Sequence, residues 1–130
     1  MSIHIPFRES LGILAETHAD GLSEIVLEVG PQHMNAAGVA HGGLIATLLD
    51  IAMGTALRSL ASEPSYAITI DMQIQYLAPA RGRIVTTGKV LRHGARIHFS
   101  EAEVRSAAGE LLATARGTYL LEPLPPGTTR

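Results

Sequence analysis

One carboxylate lies in the middle of the most apolar stretch of this 130-residue chain. The stretch runs from Leu44 to about Leu60, and apolar side chains occupy nearly every side of the helix that its spacing predicts. Asp50 is therefore expected to be buried, which strongly disfavours an ionised carboxylate unless it is paired or hydrogen-bonded. A carboxylate in such a position is a candidate general base or nucleophile.

The neighbours of Asp50 at helical spacing are small or polar. Thr47 precedes it by three residues, Gly54 follows by four and Arg58 by eight, so they form one narrow stripe. A purely structural interpretation pairs Asp50 with Arg58, but eight residues span about 12 Å along a helix axis, which strains a direct contact. A functional interpretation places the stripe at a cleft or a subunit interface. The residues alone leave both open.

A second group of residues with chemical potential precedes the helix: Asn35, His41, Gly42 and Gly43. Paired glycines let backbone N–H groups approach a ligand closely, and a helix N-terminus supplies unpaired donors and partial positive charge. This combination suits an oxyanion. The plainer alternative is that the two glycines only form a tight turn and that His41 is a loop residue.

The elements that must position these residues begin with a hairpin. Two short apolar runs, from Gly12 to His18 and from Leu22 to Val29, are joined by Ala19-Asp20-Gly21. An Asp-Gly pair between such runs favours a tight turn, because glycine adopts positive φ without steric cost. A Gly-rich segment without periodicity then leads into the helix, which ends before Pro64.

After the helix the apolar pattern changes to strict alternation. From Tyr66 to Tyr76 every second residue is apolar, so Ile68 and Ile70 are expected on the buried face of a strand. Three further strands are expected at Ile84–Leu91, Arg96–Arg105 and Glu110–Leu121. The order β-β-α-β-β-β-β with short turns predicts an α+β domain, in which a curled antiparallel sheet covers one long buried helix.

Composition excludes several classes of protein. The length fits one domain over residues 1–130, with a loose tail expected at 123–130. The chain has no cysteine and its histidines lack metal-ligand spacing, so neither a metal nor a cofactor is expected. A net charge of −2 gives no reason to expect nucleic acid, and the interrupted apolar stretch argues against a membrane span. We expect a soluble cytoplasmic protein that forms an oligomer.

Five of the singled-out residues follow one pattern, N-x5-H-G-G-x6-D: Asn35, His41, Gly42, Gly43 and Asp50. Together with the strand segment Ile70–Pro79, the pattern resembles the acyl-CoA thioesterases of the hotdog superfamily, specifically the phenylacetic-acid-degradation (PaaI-like) group. The resemblance spans nearly the whole chain. It implies a hotdog fold and hydrolysis of an acyl-CoA thioester, with coenzyme A as part of the substrate rather than a cofactor.

The resemblance also implies roles for individual residues. Asp50 acts as the nucleophile or as the general base towards water, and the Gly42 N–H polarises the thioester carbonyl. Asn35 orients the carboxylate or the water, and His41 supports the loop and the thioester end. Thr69 takes the place of a strand hydroxyl that helps to position water in relatives, where it is usually Ser. The site of this family lies between subunits, which predicts a homodimer or homotetramer.

Substrate contacts are predicted at further positions. By the same resemblance, Arg92, Gly94 and Arg96 at the later hairpin are candidates for a coenzyme A phosphate. Other candidate substrate-binding residues are Met34, Gly43, Thr47 and Gly54. The residues that could line an acyl pocket are all apolar, which favours an aryl or medium-length aliphatic acyl group: Phe7, Leu11, Met34, Leu44 and Leu48.

Two other functions stay open on the sequence. A hotdog domain can bind acyl-CoA without catalysis, but a pure binder gains nothing from a carboxylate beside an electron-rich thioester. A hotdog dehydratase or hydratase acts on the acyl group without cleaving the thioester, and its motif surroundings differ from those in this chain.

Overall fold

The structure, a computed structural model, describes residues 4–127. The elements along the chain are α1 (Pro6–Glu9), β1 (Ala15–Ala19), β2 (Leu22–Glu28), a 3₁₀ turn (Pro31–His33), α2 (Gly42–Arg58), β3 (Ser65–Tyr76), β4 (Arg83–His93), β5 (His98–Ser106) and β6 (Leu111–Pro123). The six strands form one antiparallel sheet in the order β1-β2-β4-β5-β6-β3. The predicted α+β order is confirmed, and α1 and the 3₁₀ turn are additions to it.

The hairpin predicted near the N-terminus is confirmed by its turn. Ala19 pairs with Leu22, and Asp20 and Gly21 between them both have positive φ, at 53° and 80°. Positive φ at both central residues is what a type I′ turn requires. The first strand begins at Ala15 rather than at Gly12, which has a φ of 73° and turns the chain away from the strand.

Helix α2 lies against the sheet and contacts all six strands. The side chains of Leu48, Leu49, Met53 and Leu57 are fully buried. Burial of each such side chain contributes about 1.5–3 kcal/mol to the stability of the fold. The helix is therefore the main element of the hydrophobic core. Within residues 4–127, no helix is long and apolar enough to cross a membrane.

Strand β3 contains a β-bulge at Ile70. Thr69 pairs with Tyr119 and Asp71 pairs with Thr118, which leaves Ile70 without a partner residue on β6. One extra residue in a strand reverses which side chains face the core from that point onward. The alternation along β3 therefore changes face at the bulge.

The predicted burial of Ile68 and Ile70 is wrong for this reason. They are 36% and 52% exposed, whereas Thr69 faces α2 before the bulge and Met72 packs against the core after it. β3 also lies at the edge of the sheet. A long edge strand with exposed apolar side chains is suited to pairing with another chain.

Strand β6 continues through Pro123, and the N–H of Leu124 donates to the Pro64 carbonyl at 3.1 Å. The start of the predicted loose tail is therefore attached to the end of the α2–β3 connection. Positions 128–130 of that tail lie outside the described residues.

The helix and the sheet come into backbone contact at Gly88 on β4. A Cβ atom added there would lie 2.3 Å from the carbonyl oxygen of Ala52 and 2.6 Å from Oγ of Ser23. The Ser23 hydroxyl donates to the same Ala52 carbonyl at 2.6 Å. Strands β2 and β4 thus fix the position of α2 through its backbone as well as through its side chains.

We predict that Gly88→Ala lowers the free energy of unfolding by roughly 1–3 kcal/mol or more, because the helix and β4 must move apart. Lys89→Ala, at the exposed next position, should change the free energy by less than about 0.5 kcal/mol. Urea denaturation followed by circular dichroism measures both. A Gly88→Ala variant as stable as the wild type would contradict the close backbone contact.

Candidate active site

Asp50 is held through one of its two carboxylate oxygens. Its Oδ1 atom accepts hydrogen bonds from the hydroxyls of Thr69 and Tyr119, each at 2.8 Å. Among residues 4–127 no donor contacts its Oδ2 atom, and the side chain is partly exposed. Arg58 does not pair with Asp50, because its Nε atom donates to the Ser65 carbonyl at 3.0 Å. The carboxylate is therefore anchored without a cation and keeps one oxygen open.

Tyr119 is the main site residue that the sequence does not single out, because it follows Asp50 by 69 residues. Its ring is only 1% exposed. Burial and the neighbouring Asp50 charge raise the pKa of Tyr119 above the usual range, so its hydroxyl is a donor at neutral pH. One sequence signal could have identified it: Tyr119 ends a row of small buried residues on β6, which are Ala113, Ala115 and Gly117.

The start of α2 leaves one backbone donor free. The helix begins at Gly42, two residues before the predicted start, and His41 is its N-cap. The Nδ1 atom of His41 accepts from the Gly43 N–H at 2.8 Å, and its carbonyl accepts from the Leu44 N–H at 2.9 Å. The Gly42 N–H has no acceptor among the described residues. It lies at the positive end of the helix dipole, where an oxyanion is stabilised.

Strand β3 contacts α2 at both of its chemically relevant positions. Thr69 donates to Asp50, and Tyr76 at the end of the strand donates from its hydroxyl to the Gly42 carbonyl at 2.8 Å. The edge strand therefore fixes the middle and the start of the helix together.

The two candidate groups on α2 are too far apart to act on one substrate carbonyl within a single chain. Asp50 follows Gly42 by eight residues, which corresponds to about 12 Å along the helix. A carbonyl carbon and its oxygen are only about 1.2 Å apart. A thioester attacked at Asp50 therefore cannot reach the Gly42 N–H of the same helix.

A pocket of about 190 Å³ opens beside Asp50. Gly54 and Arg58 of the predicted stripe line it, but Thr47 does not, because its hydroxyl donates back to the Gly43 carbonyl at 2.8 Å. The remaining lining residues include members of α1, α2, β3 and β6: Phe7, Arg8, Thr55, Ala67, Thr69 and Tyr119. The stripe predicted from helical spacing thus borders a cleft over most of its length.

The pocket is more polar than the sequence predicts. Arg8 forms an ion pair with Glu16 and donates to the Thr55 hydroxyl at 3.1 Å, which attaches α1 to α2. Arg58 is partly buried at the same end, and burial and the charge of Arg8 lower its pKa. Arg58 belongs to the predicted stripe, whereas Arg8 is far from it in sequence, so only the packing of α1 reveals the cluster.

Only one of the predicted acyl-pocket residues lines this pocket, and it is Phe7. Leu11, Leu44 and Leu48 are buried in the core instead. Met34 is 40% exposed and forms an isolated bridge with Ala40 before α2. The three leucines pack in the core, which the sequence pattern does not distinguish from lining a pocket.

Asn35 closes the loop that precedes α2. Its Oδ1 atom accepts from the N–H groups of Ala37 and Val39, at 2.9 and 3.3 Å. The side chain makes no hydrogen bond to Asp50 within the chain. The structure thus accounts for Asn35 locally, and its predicted role towards the carboxylate stays a prediction.

The predicted coenzyme A residues surround the β4–β5 turn, where Arg92 and Arg96 are exposed. Gly94 has a structural reason to be glycine, since an added Cβ atom would lie 2.4 Å from the Ile97 carbonyl oxygen. The turn follows a row of paired residues that crosses four strands: Thr69, Tyr119, His98 and His93. This row places the turn level with Thr69 and Tyr119, the two donors to Asp50. The turn lies about 14 Å from Thr69 across the sheet.

His33 has a structural role. It is buried, its Nδ1 atom accepts from the Gly30 N–H at 2.9 Å, and its Nε2 atom bonds to the Leu11 carbonyl at 2.8 Å. In the described part of the chain, no group of three His, Asp or Glu side chains could hold a metal ion.

The fold and the site together define the class of the protein. An antiparallel sheet wrapped around one long helix is the hotdog arrangement. The chain belongs to the thioesterase superfamily, whose family model matches residues 37–113, more than half of its length. The predictions of a hotdog fold and of a thioester hydrolase are confirmed. The PaaI-like subgroup stays a prediction.

Individual relatives agree over most of their length. The Escherichia coli K12 medium/long-chain acyl-CoA thioesterase YigI is 29% identical, covering 91% of this chain and 86% of its own. Human acyl-coenzyme A thioesterase 13 is 38% identical, covering 71% of this chain and 67% of its own. The BH2602 protein of Bacillus halodurans, whose crystal structure was solved with CoA, is 25% identical with a TM-score of 0.83, covering 94% of this chain and 82% of that chain.

Proposed function

We propose that this protein hydrolyses acyl-CoA thioesters to a free acid and CoA, with Asp50 supplying or activating the attacking oxygen. The observation that carries the proposal is the Asp50 carboxylate, which is anchored through Oδ1 and open at Oδ2 beside a pocket. The acyl-CoA thioesterase names of the Escherichia coli and human relatives support the substrate class. The Bacillus halodurans structure with CoA supports it as well.

The proposed chemistry needs an ionised Asp50 and one oxyanion donor. Either Oδ2 attacks the thioester carbon itself, or it removes a proton from a water that attacks. The carbonyl oxygen becomes an oxyanion, which the Gly42 N–H stabilises. As the carbonyl re-forms, the carbon–sulfur bond breaks and CoA leaves as a thiolate, which then takes a proton. In the first route water subsequently hydrolyses the acyl anhydride on Asp50.

Two copies of the chain form each active site in this proposal. The 12 Å between Asp50 and Gly42 on one helix excludes a site within one subunit. The exposed Ile68 and Ile70 on the β3 edge favour pairing with the same edge of a second copy. Such an isologous pair has two equivalent sites, each combining Asp50 of one subunit with Gly42 of the other. Assembly of two dimers into a tetramer rests on the family resemblance alone.

The acyl group is proposed to extend from Asp50 along α2 over Gly54. Gly54 and Ala67 both line the pocket beside Asp50, and a Cβ atom at Gly54 would lie only 3.3 Å from Cβ of Ala67, so a larger residue would narrow the pocket at this point. The proposed acyl group is aryl or of medium length, and the Escherichia coli relative is named for medium and long chains. Arg92 and Arg96 remain the proposed contacts for the CoA phosphates, in a protein proposed to act in the cytoplasm.

We predict that Asp50→Asn lowers the rate of thiol release from phenylacetyl-, hexanoyl- and decanoyl-CoA by about 10²–10⁴-fold, because asparagine is neither a base nor a nucleophile. The substitution keeps the shape of the side chain, so circular dichroism should show an unchanged fold. Glu24→Gln, at an exposed position on β2 away from the β3 edge, serves as the matched control and should retain activity.

Retained turnover in Asp50→Asn would contradict the catalytic role of Asp50. A wild type that releases no thiol from any of these esters, while both proteins bind them, would instead favour a non-catalytic binding module.

The oxyanion donor can be removed with little change to the backbone. Gly42 is the first residue of α2, where proline is well tolerated, and His41 before it has the extended conformation (φ −61°, ψ 141°) that a following proline requires. We predict that Gly42→Pro lowers kcat by about 10²–10³-fold, because it removes the free N–H.

Gly42→Ala is the control for this substitution. It keeps the N–H and adds a Cβ atom at an ordinary contact distance, 3.5 Å from the Tyr76 hydroxyl. Steady-state thiol release measures both variants. Equal activities for the proline and alanine variants would show that the Gly42 N–H does not stabilise the oxyanion.

A further inference from the structure

We propose that Tyr119 is a positioning residue that fixes which oxygen of Asp50 reacts. The tyrosine holds Oδ1 and so presents Oδ2 to the substrate or to the attacking water. This inference rests on the proposed hydrolysis at Asp50 and adds a residue from the far end of the chain to it. It is carried by the hydrogen bonds to the carboxylate and by the packing of the tyrosine ring.

The two oxygens of Asp50 have different surroundings. Oδ1 accepts from both Tyr119 and Thr69 at 2.8 Å, and the Tyr119 hydroxyl is also 3.5 Å from the Asp50 carbonyl oxygen. Hydrogen bonds to an ionised carboxylate are among the strong ones in proteins, so two of them on one oxygen oppose rotation of the group. Oδ2 lacks a donor among residues 4–127 and is the oxygen left for chemistry.

The packing of Tyr119 makes it the more rigid of the two donors. Its ring is 1% exposed and lies directly over Gly117 on β6. A Cβ atom at Gly117 would be 2.7 Å from a ring carbon of Tyr119 and 3.2 Å from the Met53 side chain. Glycine is therefore needed to seat the ring under α2. Thr69, by contrast, is exposed on the edge strand.

Tyr119 also stays a donor wherever Asp50 is ionised. Burial and the Asp50 charge raise the pKa of Tyr119, so its hydroxyl remains protonated through the neutral and mildly alkaline range. The hydroxyl therefore keeps Oδ1 occupied across this pH range, and its removal should loosen the carboxylate.

Tyr119→Phe tests the inference because it removes the hydroxyl and keeps the ring that fills the core. We expect kcat to fall roughly 10- to 100-fold with little change in KM, as for other residues that orient a reactive group. A loss confined to kcat marks an effect on the reacting group rather than on substrate binding.

Two further variants separate positioning from packing. Gly117→Ala keeps the tyrosine hydroxyl but displaces the ring, and it should reproduce the loss of kcat. Thr86→Val removes a buried hydroxyl that has no hydrogen-bond partner elsewhere in the sheet, so it should leave kcat and KM unchanged.

The outcomes distinguish this inference from the proposed function. If Asp50→Asn is inactive while Tyr119→Phe keeps the wild-type kcat, the positioning role is overturned and the hydrolysis proposal stands. A Tyr119→Phe variant that loses no more of its kcat than Thr86→Val, or that raises KM instead of lowering kcat, would also overturn the positioning role. Absence of turnover in the wild type would overturn both proposals.

Discussion

The structure depends on accommodating one carboxylate in the middle of the helix that also forms the centre of the core. Asp50 shares α2 with side chains that are fully buried, such as Leu49 and Met53. The Asp50 side chain is only partly exposed, and hydrogen bonds from the surrounding strands offset the loss of solvation at Oδ1. The bulge in β3 turns the Thr69 hydroxyl towards the helix, and β6 supplies Tyr119. Two strands of the sheet thus meet at one side chain of the helix.

Much of the fold could be predicted from the sequence because it depends on local periodicity and turn chemistry. The I′ hairpin, the buried helix and the order of the strands all follow from patterns within short windows. The bulge at Ile70 could not be predicted, because apolar and polar residues continue to alternate in the sequence on both sides of it. Tyr119 and Arg8 were also beyond the sequence, because the contacts that bring them to α2 join segments far apart in the chain.

The same limit applies to the acyl pocket, because three residues predicted to line it are core residues: Leu11, Leu44 and Leu48. Periodicity reports that a side chain is buried but does not distinguish a core from a binding cleft. The family resemblance added what spacing could not, which is the joint use of a helix carboxylate and a glycine N–H. Asp50 and Gly42 are about 12 Å apart on one helix, so they can act on the same thioester only if they come from different subunits. A hydrolytic site built from these two groups requires a second copy of the chain.

Reassociation of two inactive variants tests this central claim most directly. Asp50→Asn and Gly42→Pro chains carrying different affinity tags are mixed, dissociated and allowed to pair again, and thiol release is measured on the mixture. If each site takes its carboxylate from one subunit and its oxyanion donor from the other, each mixed dimer has one intact site. Random pairing then restores about a quarter of the wild-type rate. If tagged mixed dimers form but no activity returns, the two groups do not act in one shared site and the account is contradicted.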